Sequence, residues 1–68
     1  MTKGILTDRE KQIFELLVTN KSTKEIANIL NISEKTVRNH ISNTMQKLEV
    51  NGRAAAVIEL IKLGELTI

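Results

Sequence analysis

A turn of only four residues, 30–33, ends one segment with the signature of an α-helix and caps the next. A link this short favours two helices that meet at a wide angle, as in a helix-turn-helix unit. Such a crossing needs the small Ala27 on its first helix and the aliphatic Val37 on its second. Its turn needs a residue that tolerates positive φ, here Asn31, followed by the apolar Ile32. The alternative is an ordinary helical hairpin in which these residues coincide.

Helix start and stop signals divide the chain into four helices. Three residues are N-caps, the first two of them within capping boxes: Thr7, Ser22 and Ser33. Two residues are typical left-handed helix stops: Asn20 and Gly64. Because no alternating strand pattern occurs, we predict an all-α, four-helix fold in a single domain of residues 1–68. The predicted segments are helices at about 8–19, 23–30, 34–48 and 52–63, with the helix-turn-helix unit at about 22–48.

Composition excludes several classes of function. The chain has no Cys and one His, so we predict no metal site and no cofactor. Phe14 is the only aromatic residue, which excludes stacking platforms for single-stranded nucleic acid. No sequence pattern of paired carboxylates, nucleophile and base, or phosphate loop is found, so we predict no enzyme, no catalytic residue and no small-molecule substrate. The longest apolar run, residues 54–58, is far too short to span a membrane.

Positive charge is concentrated in the middle of the chain. Residues 21–53 contain six Lys and Arg against three Glu, an excess of +3, whereas the whole chain carries +2. This distribution favours a polyanionic partner, and a solvated charged surface is the alternative that gives the same excess.

Helix 3 is amphipathic, and its polar face carries cations and amides rather than mixed charge. The apolar stripe consists of Val37, Ile41, Met45 and Leu48. The polar face consists of Lys35, Arg38, Asn39, Ser42, Asn43 and Gln46. Arg bonds guanine, and Asn or Gln bonds adenine, in the major groove of duplex DNA. This face therefore predicts base reading, with a merely polar surface as the alternative.

Helix 4 is apolar over more than half of its circumference. One apolar face consists of Ala54, Val57, Ile58 and Ile61. The other consists of Ala56, Leu60 and Leu63. One face must cover the core, and an exposed apolar face is typical of a partner surface. The helical wheel does not decide between the faces; we assign the second one to the interface of a symmetric homodimer.

Two further polar residues have competing interpretations. Glu25 is expected to pair with Arg53 and so tie helix 2 to helix 4, or else only to close its capping box. His40 lies at the edge of the apolar stripe of helix 3, where a role in packing or against a phosphate is favoured over a metal site.

Several motifs together resemble the LuxR-type helix-turn-helix family over residues 5–66. They are Leu-Thr-Asp-Arg-Glu at 6–10, Lys-Glu-Ile-Ala at 24–27, Ile-Ser-Glu-Lys-Thr-Val-Arg-Asn-His at 32–40, Lys-Leu at 47–48, Arg53 and Gly64. The resemblance implies a domain that binds duplex DNA as a dimer, with helix 3 in the major groove. It implies base contacts by Arg38, Asn39 and Ser42. It implies contacts to the DNA backbone by Thr23, Lys24, Thr36 and Lys47, to which we add Lys35 on the polar face.

Ser42 departs from the family pattern, because many members carry Lys or Arg at this position. Its side chain is shorter, which favours a base contact through water. Asn20 stands where many members carry Gly, and Asn also tolerates the left-handed conformation. Ser42 is therefore expected to change how the domain reads bases, whereas Asn20 is expected to leave the fold unchanged.

These observations predict a dimeric, sequence-specific transcription regulator in the cytoplasm, associated with the nucleoid. The chain also resembles a small stand-alone family member that acts in sporulation, which implies gene control of that type. The predicted partners are double-stranded DNA and a second copy, with RNA polymerase as a further candidate and no membrane. The alternatives are the excised output domain of a larger two-component response regulator, region 4 of a sigma factor, and a helical protein–protein adaptor.

Overall fold

The computed structural model describes residues 5–67, which form four α-helices and no strand. The helices are α1 Asp8–Val18, α2 Thr23–Leu30, α3 Glu34–Leu48 and α4 Arg53–Lys62. All bounds agree with the predicted ones to within one residue, so the all-α, four-helix prediction is confirmed. Residues 1–4 and 68, which the predicted domain also includes, lie outside the described range. No helix in that range is long and apolar enough to cross a bilayer.

Three of the four helices begin at the predicted caps. Thr7 Oγ1 accepts the Glu10 N–H at 3.1 Å, and Glu10 Oε1 accepts the Thr7 N–H at 3.0 Å. Ser22 and Glu25 form the same reciprocal pair at 3.1 and 2.8 Å. Ser33 Oγ accepts a backbone N–H from the first turn of α3 at 3.0 Å. These bonds satisfy donors that a helix cannot pair internally, so the caps determine where each helix begins.

Every helix is followed by a residue with positive φ, after which a backbone N–H donates to a carbonyl five residues earlier. The positive-φ residues are Asn20 (67°), Asn31 (58°), Glu49 (57°) and Gly64 (78°). The bonds run from Lys21 to Leu16, Ile32 to Ala27, Val50 to Met45 and Glu65 to Leu60, at 3.2, 3.0, 3.1 and 2.8 Å. This is the Schellman stop. The stop at Glu49 is not predictable from the sequence, because a residue with a side chain disfavours the left-handed conformation.

The core is centred on α3, against which each of the other three helices packs. Its buried apolar residues are Ile13, Phe14, Ile26, Ala27, Val37, Ile41, Ala56, Leu60 and Leu66. Ala27 of α2 and Val37 of α3 are buried in this core, and Ile32 between the two helices is packed against it, as the helix-turn-helix pattern predicts. Thr44 is also fully buried, and its hydroxyl donates to the His40 carbonyl at 2.9 Å. The buried side of α3 therefore includes one polar residue that the predicted apolar stripe omits.

The face of α4 that covers the core is not the predicted one. Ala56 and Leu60 are completely buried in the core of the protomer, so their assignment to a dimer interface is wrong. Leu63, the third residue assigned there, is 50% exposed at the end of α4. On the other face Ile58 is 55% exposed and Ala54 is exposed. Because both faces are apolar, only the packing of α4 against α3 decides which of them meets solvent.

Replacing Glu49 by Gly is expected to stabilise the protein. The φ of 57° at Glu49 is one that Gly adopts without the steric penalty of a side chain. We expect Glu49→Gly to raise the free energy of unfolding by about 1 kcal/mol, measured by urea denaturation.

The reverse substitution, Gly64→Ala, serves as the control. A Cβ at Gly64 meets no neighbouring atom, so the φ of 78° is the only source of strain and the expected loss is of similar size. A Glu49→Gly variant less stable than the wild type would contradict this interpretation of the helix stop.

Candidate nucleic-acid interface

The polar side of α3 is exposed along the helix because the opposite side is buried in the core. Its exposed residues are Lys35, Arg38, Asn39, Ser42, Asn43 and Gln46, which we call the α3 face. Residues three or four positions apart are neighbours on a helix, so Ser42 lies beside both Arg38 and Asn39. The structure therefore brings the three predicted base-reading residues together on one accessible surface.

The first turn of α3 contains two contacts within reach of this face. Ser33 Oγ lies 2.9 Å from the hydroxyl of Thr36, which is half-buried. Glu34 Oε1 lies 3.6 Å from Arg38 Nη1, one turn further along the helix. The predicted phosphate contacts of Lys35 and Thr36 stay predictions, and both residues lie beside the base-reading residues.

The first turn of α2 presents a second polar surface. Lys24 is exposed and Thr23 is half-buried. The first N–H groups of a helix have no partner within it, and here only that of Glu25 is taken by the Ser22 cap. Free N–H groups together with the positive end of the helix dipole and a Lys are suited to a phosphate.

Arg53 connects α4 to α2 through Thr23 rather than through Glu25. Arg53 Nη1 donates to Thr23 Oγ1 at 3.3 Å, whereas Glu25 Oε1 accepts the Ser22 N–H. No ion pair joins Glu25 to Arg53 in the described part of the chain, so that prediction is wrong and the capping-box alternative is confirmed. Because Thr23 Oγ1 accepts the bond from Arg53, its own proton stays available to a phosphate.

Lys47 joins the end of α3 to the start of α1. Its Nζ lies 2.6 Å from Glu10 Oε1 and 3.5 Å from the Ile5 carbonyl oxygen. The side chain of Glu10 is only 5% exposed, so this is a largely buried carboxylate with a cationic partner. The structure thus gives Lys47 a contact with α1, and its predicted phosphate contact stays a prediction.

Residues 4–60 match the family described as "Bacterial regulatory proteins, luxR family". The chain belongs to the luxR family. Spore germination protein GerE of Bacillus subtilis is 66% identical over 65 residues, which cover 96% of this chain and 88% of GerE. Transcriptional regulatory protein DegU of Brevibacillus brevis is 50% identical over 60 residues, which cover 88% of this chain but only 25% of DegU. A solved structure of transcription factor GerE, 62% identical, matches with a TM-score of 0.93 and covers 96% of this chain and 97% of that one.

Membership of the luxR family confirms the resemblance seen in the sequence motifs. It identifies the chain as a DNA-binding transcription regulator and confirms the prediction that it is not an enzyme. The likeness to the GerE structure confirms the helix-turn-helix fold. Within residues 5–67, no three His, Asp or Glu side chains gather into a possible metal site.

Two acidic residues of this luxR-family chain contact site residues in pairs that are not among the sequence predictions. Glu34 and Arg38 are four positions apart on one helix, a spacing that does signal an ion pair. Glu10 and Lys47 are 37 positions apart, and only the packing of α1 on α3 brings them together. The first pair was therefore visible in the sequence, whereas the second was not.

The environment of Glu10 stabilises its charged form. Burial raises the pKa of the Glu10 carboxyl, but the hydrogen bonds from Lys47 and from the Thr7 backbone outweigh burial. The pKa of Glu10 is therefore lowered from its ordinary value of 4.5. A carboxyl whose pKa is lower in the folded than in the unfolded state stabilises the fold above the unfolded value.

The Glu10–Lys47 pair predicts a loss of stability in acid. The contribution of Glu10 is complete above pH 4.5 and disappears as the pH falls through the lowered pKa of the folded state. At neutral pH we expect Glu10→Gln to lower the free energy of unfolding by about 1–3 kcal/mol, measured by urea denaturation.

The pH series also needs a control. Glu15→Gln removes an exposed carboxylate from the same helix and should change stability little. If Glu10→Gln lost stability between neutral pH and strong acid as steeply as the wild type, Glu10 would not be the group responsible.

Proposed function

We propose that this chain binds double-stranded DNA as a homodimer and reads its sequence with the α3 face. The observation that carries the proposal is the composition of that exposed face, which combines Arg, Lys, Asn, Gln and Ser and lacks a carboxylate between Glu34 and Glu49. Exposed protein surfaces normally mix both signs of charge, whereas a surface facing DNA is cationic and amide-rich. An α-helix fits the major groove, where each base pair shows its own pattern of donors and acceptors.

The residues of the α3 face have different roles in this proposal. Arg38 bonds guanine O6 and N7, and Asn39 bonds adenine N6 and N7. Ser42 is too short to reach as far as Arg38 and acts through water. Lys35 and Thr36 contact the phosphate backbone, which positions the helix without reading sequence.

The first turn of α2 anchors the domain on the DNA backbone. Thr23 and Lys24 receive one phosphate, supported by the free N–H groups and the dipole of that helix end. The bond from Arg53 holds the Thr23 side chain in place while leaving its proton to donate. This contact supplies affinity that depends on salt and is the same for every sequence.

The dimer forms through the exposed apolar face of α4. Ile58 and Ala54 are exposed there, with Val57 and Ile61 half-buried beside them. A two-fold symmetric pairing of this face buries the apolar surface of both protomers and holds two copies of α3 for two half-sites. The half-sites of such dimers lie about 34 Å apart, one turn of DNA.

Gene control in sporulation is the biological role we propose, at the nucleoid in the cytoplasm. Its support is the 66% identity to a spore germination protein over nearly the whole of both chains. RNA polymerase is the proposed protein partner. The second candidate is the output domain of a longer regulator, which is favoured by the 50% identity to DegU, of which this chain spans a quarter.

The proposed base and phosphate contacts predict two different kinds of defect. Lys24→Ala should weaken binding to all duplexes alike and reduce the slope of log affinity against log salt by about 1. Asn39→Ala should lose about 1–3 kcal/mol of discrimination at one base pair and leave binding to random duplex unchanged. Both are measured by fluorescence anisotropy on a selected site and on random duplex over a range of salt.

Lys62→Ala is the control, since it removes an exposed cation from α4, outside the proposed contacts. If the wild type bound the selected site and random duplex with equal affinity, sequence reading would be excluded. A failure to bind any duplex at low salt would favour the adaptor alternative.

The orientation of α4 predicts which apolar side chain holds the dimer. Ile58 and Leu63 have nearly equal exposure, 55% and 50%, on different sides of the helix. We expect Ile58→Glu to give monomers in sedimentation velocity and Leu63→Glu to leave the dimer intact, because only the Ile58 side carries the proposed interface. If only Leu63→Glu abolished the dimer, the interface would lie on the Leu63 side of α4. If the wild type sedimented as a monomer both with and without DNA, the dimer would be excluded.

A further inference from the structure

Glu34 is an acidic residue on the edge of a surface that is otherwise suited to a polyanion. It is the only carboxylate within α3, and its Oε1 lies 3.6 Å from Arg38 Nη1. Both side chains are about half exposed, 47% for Glu34 and 55% for Arg38, so the pair lies at the surface where DNA would dock. A carboxylate in the first turn of α3 is stabilised by the positive end of the helix dipole, but at this position it also opposes phosphate binding.

We propose that Glu34 is a positioning residue that holds the Arg38 guanidinium for guanine and thereby sets sequence specificity. The proposal rests on the proposed function, since it requires that Arg38 reads a base. Glu34 itself contacts no base in this arrangement. It acts through Arg38, one helical turn away.

The hydrogen-bonding capacity of Arg allows both contacts at once. The guanidinium has five N–H donors in a fixed planar fork. A bidentate contact with guanine O6 and N7 uses two of them. Glu34 Oε1 lies 3.6 Å from Nη1, an ion-pair distance, so its attraction leaves these donors available to guanine. The ion pair favours Arg38 conformations in which the guanidinium lies near Glu34 before the protein meets DNA, so Arg38 loses less side-chain freedom when it binds guanine.

The negative charge of Glu34 also affects binding to the wrong sequence. On a site without guanine, Arg38 would gain most by turning to a phosphate, and the pull of Glu34 opposes that movement. On the matching site Arg38 bonds guanine and keeps its contact with Glu34. The same carboxylate therefore favours the correct complex and disfavours others, which raises discrimination rather than total affinity.

Four proteins test the proposal: wild type, Arg38→Ala, Glu34→Gln and the double variant. Each is measured by anisotropy on a site selected from random duplexes, on versions of that site with each base pair exchanged, and on random duplex. We expect Glu34→Gln to reduce discrimination about twofold at the base pair that Arg38 reads, the size of an ion pair one helical turn apart. In the Arg38→Ala background the same substitution should leave discrimination unchanged.

Glu49→Gln provides the matched control. It removes the same charge from the residue just after α3, which lies roughly 22 Å from Glu34 along the helix at 1.5 Å per residue. We expect it to leave discrimination at every base pair unchanged. Circular dichroism of each variant checks that the helix content is the same.

The outcomes separate this proposal from the proposed function. If Arg38→Ala keeps full discrimination at every base pair, Arg38 does not read a base and the positioning role of Glu34 fails, whereas sequence reading by the rest of the α3 face stands. If Arg38→Ala loses discrimination but Glu34→Gln does not, only the positioning role is overturned. If Glu34→Gln raised the affinity for the selected site and for random duplex equally, the positioning role would also be overturned, since Glu34 would then act only by repelling phosphates.

Discussion

The crossing of α2 and α3 is the contact on which the DNA-facing surface depends. Asn31 adopts a left-handed conformation with φ 58°, and the Ile32 N–H donates back to the Ala27 carbonyl at 3.0 Å. The turn can then be short, α2 packs against α3, and Ala27 and Val37 are both buried in the core. With Val37 held in the core, the opposite side of α3 must face solvent. The polar face of α3 and the first turn of α2 are therefore presented together.

Contacts at both ends of this unit restrain it further. At the end of α3, Lys47 is paired with the buried Glu10 of α1 at 2.6 Å. At the start of α2, Arg53 of α4 bonds Thr23 at 3.3 Å. Each bond uses a polar group close to the proposed DNA contacts, so the same residues that shape the surface also hold it to the rest of the fold. A rigid arrangement of this kind lowers the loss of conformational freedom on binding.

Local signals made the fold and most of the candidate interface predictable from the sequence. Caps such as Ser22 and left-handed stops such as Asn31 depend on residues only a few positions away in the sequence. The polar face of α3 is predictable because the apolar residues of this helix recur at helical spacing and leave the other side polar. The wrong predictions concern choices made by tertiary packing. Both sides of α4 are apolar, so only its packing on α3 shows that Leu60 is in the core. Glu25 is occupied by its own capping box, and the bond from Arg53 to Thr23 depends on the placement of α4.

The central claim is that a dimer reads duplex DNA with two copies of the α3 face. Selection of bound sites from random duplex DNA tests binding, specificity and symmetry in one measurement. The predicted result is an enriched site with two inverted half-sites whose centres lie about one helical turn, ~10 base pairs, apart. A pool that shows no enriched sequence, or a single half-site without an inverted repeat, would contradict the claim.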